Sequence, residues 1–188
     1  METFAPWAEP VLMTAEELLL LPEDGWRYEL VEGRLIRLSP TGDKHGGIAA
    51  ELLLAAGPFI KEHNLGRVRA AETGFLISSP GEPDTVLAPD FAFVRARESE
   101  APTDGYSRLT PDLVAEVASP SQTRAEIAAK ARQWLRAGVR LVWIVLPKSQ
   151  TVEVWHDGEL QHILTIQDEL SGEEVLPGFA YPIRNLFP

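Results

Sequence analysis

The chain has 188 residues, 45% hydrophobic and 24% charged, with no cysteine. That balance fits a globular protein with a sizeable core, excludes disulfides and thiolate metal sites, and suits a cytoplasmic setting. A formal net charge of -11 argues against coating nucleic acid through a bulk positive field, while a bound metal and local arginines can still supply positive potential at one site.

The start, Met1-Glu2-Thr3-Phe4, is acidic and lacks the basic region of a secretory signal. Residues 1–12 read as an N-terminal extension containing Pro6 and Pro10, and 13–188 as a single domain. Thr14 and Glu17 form a capping-box pattern before Leu18, which predicts a short helix stopped by Pro22. Residues 27–31 and 34–38 read as strands joined by a Glu32-Gly33 turn. From 45 to 63, Ile48, Leu52, Ala55, Ala56, Phe59 and Ile60 fall on one side of a helix, with Pro58 as a potential kink. Strands are expected at 67–70, 74–77 and 86–94, then a polar loop over 98–110. A strand at 113–117, a helix at 123–137 closed by Gly138 and a strand at 141–146 follow. The segments 151–155 and 160–166 make a hairpin around Asp157-Gly158. No apolar run is long enough to span a bilayer. This order predicts a mixed α/β (α+β) fold: one central mixed sheet, covered by helices on both faces.

Chemistry is carried by acids inside apolar strands and a lysine on the next helix. Asp90 lies in Val86-Leu87-Ala88-Pro89-Asp90-Phe91-Ala92-Phe93-Val94, on a face with Ala88 and Ala92, which leave room around it. The alternative is a turn at a strand start. Glu116 lies in Leu113-Val114-Ala115-Glu116-Val117-Ala118, where a carboxylate requires a partner or a raised pKa. An arginine ion pair would be the ordinary partner. Lys130 stands roughly 60° from the Ile127, Ala131, Trp134 and Leu135 stripe, so its stem can lie on apolar surface while its ammonium reaches the sheet. An exposed pair with Glu126 is the alternative. Glu29, in the first hairpin, and His45, at a helix start, are further candidates, each with a plain surface reading beside it. Two carboxylates on neighbouring strands can share a hard cation, and an ammonium nearby can handle a water or a phosphate. The combination points to metal-dependent phosphodiester hydrolysis.

These residues resemble the Uma-two family, restriction-endonuclease-like proteins of the PD-(D/E)xK nuclease superfamily. The resemblance rests on Met13-Thr14-Ala15-Glu16-Glu17-Leu18, Tyr28-Glu29-Leu30-Val31-Glu32-Gly33, Pro89-Asp90, and Pro111 through Ser121, with Lys130, Ala137-Gly138-Val139, Val142-Trp143-Ile144-Val145 and Leu176-Pro177-Gly178-Phe179 after them. It implies a restriction-endonuclease-like core in which Asp90 and Glu116 bind metal and the signature lysine is displaced. Ala118 stands two residues after Glu116, and Lys130 serves instead. Glu29 is then the acid preceding the core, and His45 matches a histidine common in the family. Trp134 departs from the usual tyrosine, and Glu126 from a frequent aspartate.

The implied activity is a Mg²⁺-dependent endonuclease, with Mn²⁺ able to substitute, acting on nucleic acid and most readily on double-stranded DNA. Asp90, Glu116 and the Val117 carbonyl would hold the ion, with Lys130, Glu29 and His45 around it. By analogy a homo-oligomer, a dimer or higher, is expected, with no membrane partner. The alternative is a catalytically silent nuclease fold used for binding or assembly.

Overall fold

The structure, a computed structural model, describes residues 11–96 and 103–187. Most of the expected 1–12 extension, and the 98–102 part of the expected polar loop, lie outside the described residues.

Helix α1 (Ala15–Leu19) begins at the capping box: Glu17 N donates to Thr14 Oγ1 at 3.1 Å and Thr14 N to Glu17 Oε2 at 2.8 Å. Strands β1 (Arg27–Val31) and β2 (Arg34–Leu38) pair antiparallel around Glu32 and Gly33. The φ angles of +49° and +72° at those two residues suit the hairpin turn expected there. Helix α2 (Asp43–Glu62) buries Ile48, Leu52, Ala56 and Ile60, a four-residue repeat along one side. It runs through Pro58 without interruption. The carbonyl that Pro58 cannot satisfy belongs to Leu54, whose side chain is exposed, so it lies on the solvent side.

Strands β3 (Gly66–Ala70), β4 (Phe75–Leu76), β5 (Val86–Leu87), β6 (Phe91–Arg95) and β7 (Leu113–Val117) precede helix α3 (Arg124–Arg136). Strands β8 (Leu141–Leu146), β9 (Thr151–His156) and β10 (Glu159–Leu164) follow it. Strands β11 (Glu169–Ser171) and β12 (Ala180–Pro182) and a 3₁₀ turn (Ile183–Leu186) complete the described chain.

The principal sheet has the order β10-β9-β8-β7-β6-β3, and α3 is the crossover between its one parallel pair, β7 and β8. The remaining pairs are antiparallel, so the sheet is mixed. Both its faces are buried. Phe91, Phe93, Leu113, Ala115, Trp143 and Val145 pack with the α2 stripe on one side. Ala92, Val94, Val114, Val142 and Ile144 pack with Ile127, Ala131 and Trp134 of α3 on the other. Among the described residues no helix is long and apolar enough to cross a membrane.

The expectation of one sheet is corrected. A second sheet, β2-β1-β5-β4, stands beside the first, and β11 and β12 form a third. The expected strand over 86–94 breaks at Pro89, which has no N–H to donate to a ladder. Its first half, β5, joins β1 and β4, while its second half, β6, joins β3 and β7. Asp90 therefore does not share a strand face with Ala88 and Ala92. It occupies the bend where the chain passes from one sheet to the other, and this seam positions the site.

Candidate active site

Four elements and the bend between β5 and β6 bring polar side chains to the seam. Asp90, buried at the bend, accepts a hydrogen bond from the Val117 N–H at 2.7 Å on Oδ2. This bond fixes Asp90 against the end of β7, one residue after Glu116. His45, in the first turn of α2, brings Nε2 to 3.3 Å from the same oxygen. What the structure gives for Val117 is thus its N–H.

Glu116 projects from β7 onto the α3 face and is buried. Neither the arginine partner nor a bare carboxylate is found there. Lys130 Nζ lies 3.1 Å from Oε2, and the Trp134 indole Nε1 donates to Oε1 at 2.8 Å. Lys130 and Trp134 are four residues apart on α3, so a single helical face supplies both donors. Glu126 is not the lysine's partner. It belongs to a second capping box with Thr123, where Glu126 N donates to Thr123 Oγ1 at 3.3 Å and Thr123 N to Glu126 Oε2 at 2.7 Å. At the other end, Val139 N donates to Trp134 O and Gly138 N to Leu135 O, with Gly138 at φ +94°. This Schellman closure stops the helix just after Trp134.

Glu29 comes from β1 in the second sheet. Its Oε1 accepts from Ala88 N at 3.1 Å and lies 3.3 Å from Lys130 Nζ. The lysine therefore bridges an acid from each sheet. The structure brings together Glu29, His45, Asp90, Glu116, Val117 and Lys130. It adds Trp134, which sequence periodicity marks as core. The departure from tyrosine keeps the relevant chemistry, since an indole N–H donates to a carboxylate as a phenol does.

Three buried acids face one ammonium. The Glu116 carboxyl is pushed up to about 7, first by burial, then by the Asp90 and Glu29 charges, while Lys130 and the Trp134 N–H pull it down. For Lys130, burial alone would lower the pKa. The Glu116 and Glu29 carboxylates outweigh it and hold the ammonium above the usual lysine range. Two other buried acids have local partners. Asp112 Oδ2 accepts from Arg95 N at 2.9 Å, tying the loop before β7 to β6. Glu153 lies in register with Glu116 through Ile144 and is held by Arg124 and by Trp155 Nε1.

Among the described residues no three His, Asp or Glu side chains are gathered closely enough to enclose an ion. An open set of two carboxylates is nonetheless what a hard cation that retains its waters requires. The Asp90–Glu116 pair has that chemistry, and an ion there would favour the ionised form of Glu116, which burial and the neighbouring acids otherwise disfavour.

Fold and site together define a mixed α/β protein with an acid–acid–lysine cluster at the seam of two sheets. The chain belongs to the Uma2 family, described as "putative restriction endonuclease", which matches residues 15–184. Its fold is similar to that of a protein from Anabaena variabilis ATCC 29413 described as "a putative nuclease belonging to DUF820". The two are 22% identical, with a TM-score of 0.78 over 93% of this chain and 97% of the other. No curated protein matches the chain.

Proposed function

We propose that this protein is a nuclease that hydrolyses phosphodiester bonds of nucleic acid, DNA in the first instance, with Mg²⁺ or Mn²⁺ as cofactor. The observation that carries this reading is Lys130 Nζ at 3.1 Å from Glu116 and 3.3 Å from Glu29, beside an Asp90 anchored on Val117 N. Asp90, Glu116 and the Val117 carbonyl would hold one ion. When bound, the ion supplies a Lewis acid for the phosphate and lowers the pKa of a water.

The chain's own residues do the rest. Lys130 remains cationic at neutral pH and sets its ammonium against a phosphate oxygen, where negative charge develops in the transition state. Glu29, itself held by the Ala88 N–H, positions that ammonium. Trp134 orients Glu116, and His45 orients Asp90. Burial at the seam lowers the local dielectric, which strengthens each of these contacts relative to water. A homo-oligomer and a cytoplasmic setting belong to the same reading.

Cleavage of an end-labelled oligonucleotide tests it. Wild type with Mg²⁺ is expected to yield internal products, and Lys130→Met is expected to be at least about 100-fold slower. Equal rates for the two proteins would remove Lys130 from the chemistry. Absence of cleavage with either ion would favour a silent binding module, in keeping with the -11 net charge.

A further inference from the structure

We propose that a groove adjoining the acid–lysine cluster receives an unpaired nucleobase bearing an exocyclic amino group, and so makes the nuclease selective for unpaired nucleotides. This inference rests on the nuclease reading above. The groove has a volume of about 380 Å³ and shares Glu29 and Ala88 with the site. Its other walls include Trp26, Tyr28, Glu72 and Tyr106.

Trp26 is 41% exposed, an uncommon position for an indole, yet it is held from several directions. Gly25, at φ +84°, turns the chain immediately before it. Asp24 accepts from Trp26 N at 3.0 Å and from the Tyr28 hydroxyl at 2.6 Å, which ties the turn to β1. The Arg37 guanidinium lies 4.1 Å from the Trp26 ring centre and is not part of the groove wall. Elsewhere in the lining, a Cβ on Gly74 would come within 2.3 Å of the Tyr106 ring, so the glycine allows that ring to lie against the backbone. Two aromatic groups, Trp26 and Tyr106, are thus fixed in the lining of a groove that shares Glu29 with the site.

The charge of the cleft selects the occupant. Glu23, Glu29 and Glu72 line it against a single arginine, Arg27, which is itself 3.8 Å from Glu72. A phosphate is repelled there. A neutral base offers a π face to the aromatic walls and amino hydrogens to the carboxylates, as cytosine N4 does to an acid. A paired base meets neither requirement until it leaves its stack, which costs a few kcal/mol. The base next to the scissile phosphate is the one within reach, because Glu29 borders both the groove and Lys130.

The test is fluorescence anisotropy of labelled oligonucleotides on full-length Lys130→Met protein with Mg²⁺, a background expected to bind without turnover. An oligo-dC strand is expected to bind about tenfold more tightly than the same strand in a blunt duplex, and more tightly than oligo-dT or an abasic strand. Adding Trp26→Leu should weaken oligo-dC binding about tenfold and leave duplex binding unchanged, while Trp26→Phe should retain it. Gly74→Ala, which displaces Tyr106, should act in the same direction as Trp26→Leu. Equal affinity for duplex and single strand, indifference to Trp26→Leu in a folded protein, or no binding would each overturn the proposal. The expected binding pattern without cleavage by the wild-type protein would instead leave the groove in place and remove the nuclease reading. Cleavage by wild type, with binding indifferent to Trp26→Leu, would do the reverse.

Discussion

Removing the titratable group from position 116 should change how the metal-free protein responds to pH. In the fold Glu116 releases its proton at about 7, against an ordinary value of 4.5. At 1.36 kcal/mol per unit the difference amounts to about 3 kcal/mol. A carboxyl raised by folding binds its proton more tightly in the native state. Its contribution is therefore fully present below about 4.5 and is lost as pH rises through about 7. Glu116→Gln keeps an acceptor for the Trp134 N–H and cannot titrate. Urea unfolding in EDTA at pH 5 and pH 8, for wild type and variant, isolates the effect, because all other groups are common to both. The stability of wild type relative to the variant should fall by about 2–3 kcal/mol over that interval. A relative stability that stays constant would mean that folding does not raise the Glu116 pKa. One that rises with pH would mean that the Lys130 ammonium, and not burial with Asp90 and Glu29, governs the Glu116 proton.

Other outcomes follow from the same geometry. Lys130→Met should cut cleavage at least about 100-fold while Mn²⁺ binding, measured by calorimetry, changes little. Trp134→Phe removes the donor to Glu116 Oε1 and leaves a buried acceptor unpaired. It should cost about 1–3 kcal/mol in urea unfolding and weaken Mn²⁺ binding about tenfold. Thr123→Ala breaks the capping box of α3 and should cost about 1 kcal/mol of stability. Because that helix carries Lys130 and Trp134, thermal melting and cleavage should both report the change.

The parts of the fold that local chemistry specifies were legible in the chain. Thr14 with Glu17, Gly138, and the Glu32-Gly33 and Asp157-Gly158 turns all signal through neighbours within a few residues, and each stands where expected. The division into separate sheets was not legible. Val86 to Val94 is apolar on both sides of Pro89, and only long-range pairing, β5 with β1 and β6 with β7, reveals the corner. Strands β11 and β12 have three residues each, too few to show alternation.

The site divides in the same way. Asp90, Glu116 and Lys130 stood out because a charge in an apolar setting calls for a partner. The structure pairs Glu116 with Lys130 and sets His45 against Asp90. Trp134 reads as a departure from the family's tyrosine and as part of the core stripe, but not as a donor to Glu116, because apolar periodicity does not indicate where its N–H points. Asp112 reads as a strand-start acid, and its tie to Arg95 N spans 17 positions of sequence.

The proposed activity requires that Asp90 and its neighbours hold a metal that cleaves nucleic acid. The most direct measurement is nicking of a negatively supercoiled plasmid, in which torsional stress opens base pairs, by purified wild type and Asp90→Ala, each with Mg²⁺, with Mn²⁺ and with EDTA. Nicking is expected by wild type with either ion, none in EDTA, and none by Asp90→Ala under any condition. Equal nicking by the two proteins, or none by either, would contradict the proposed activity.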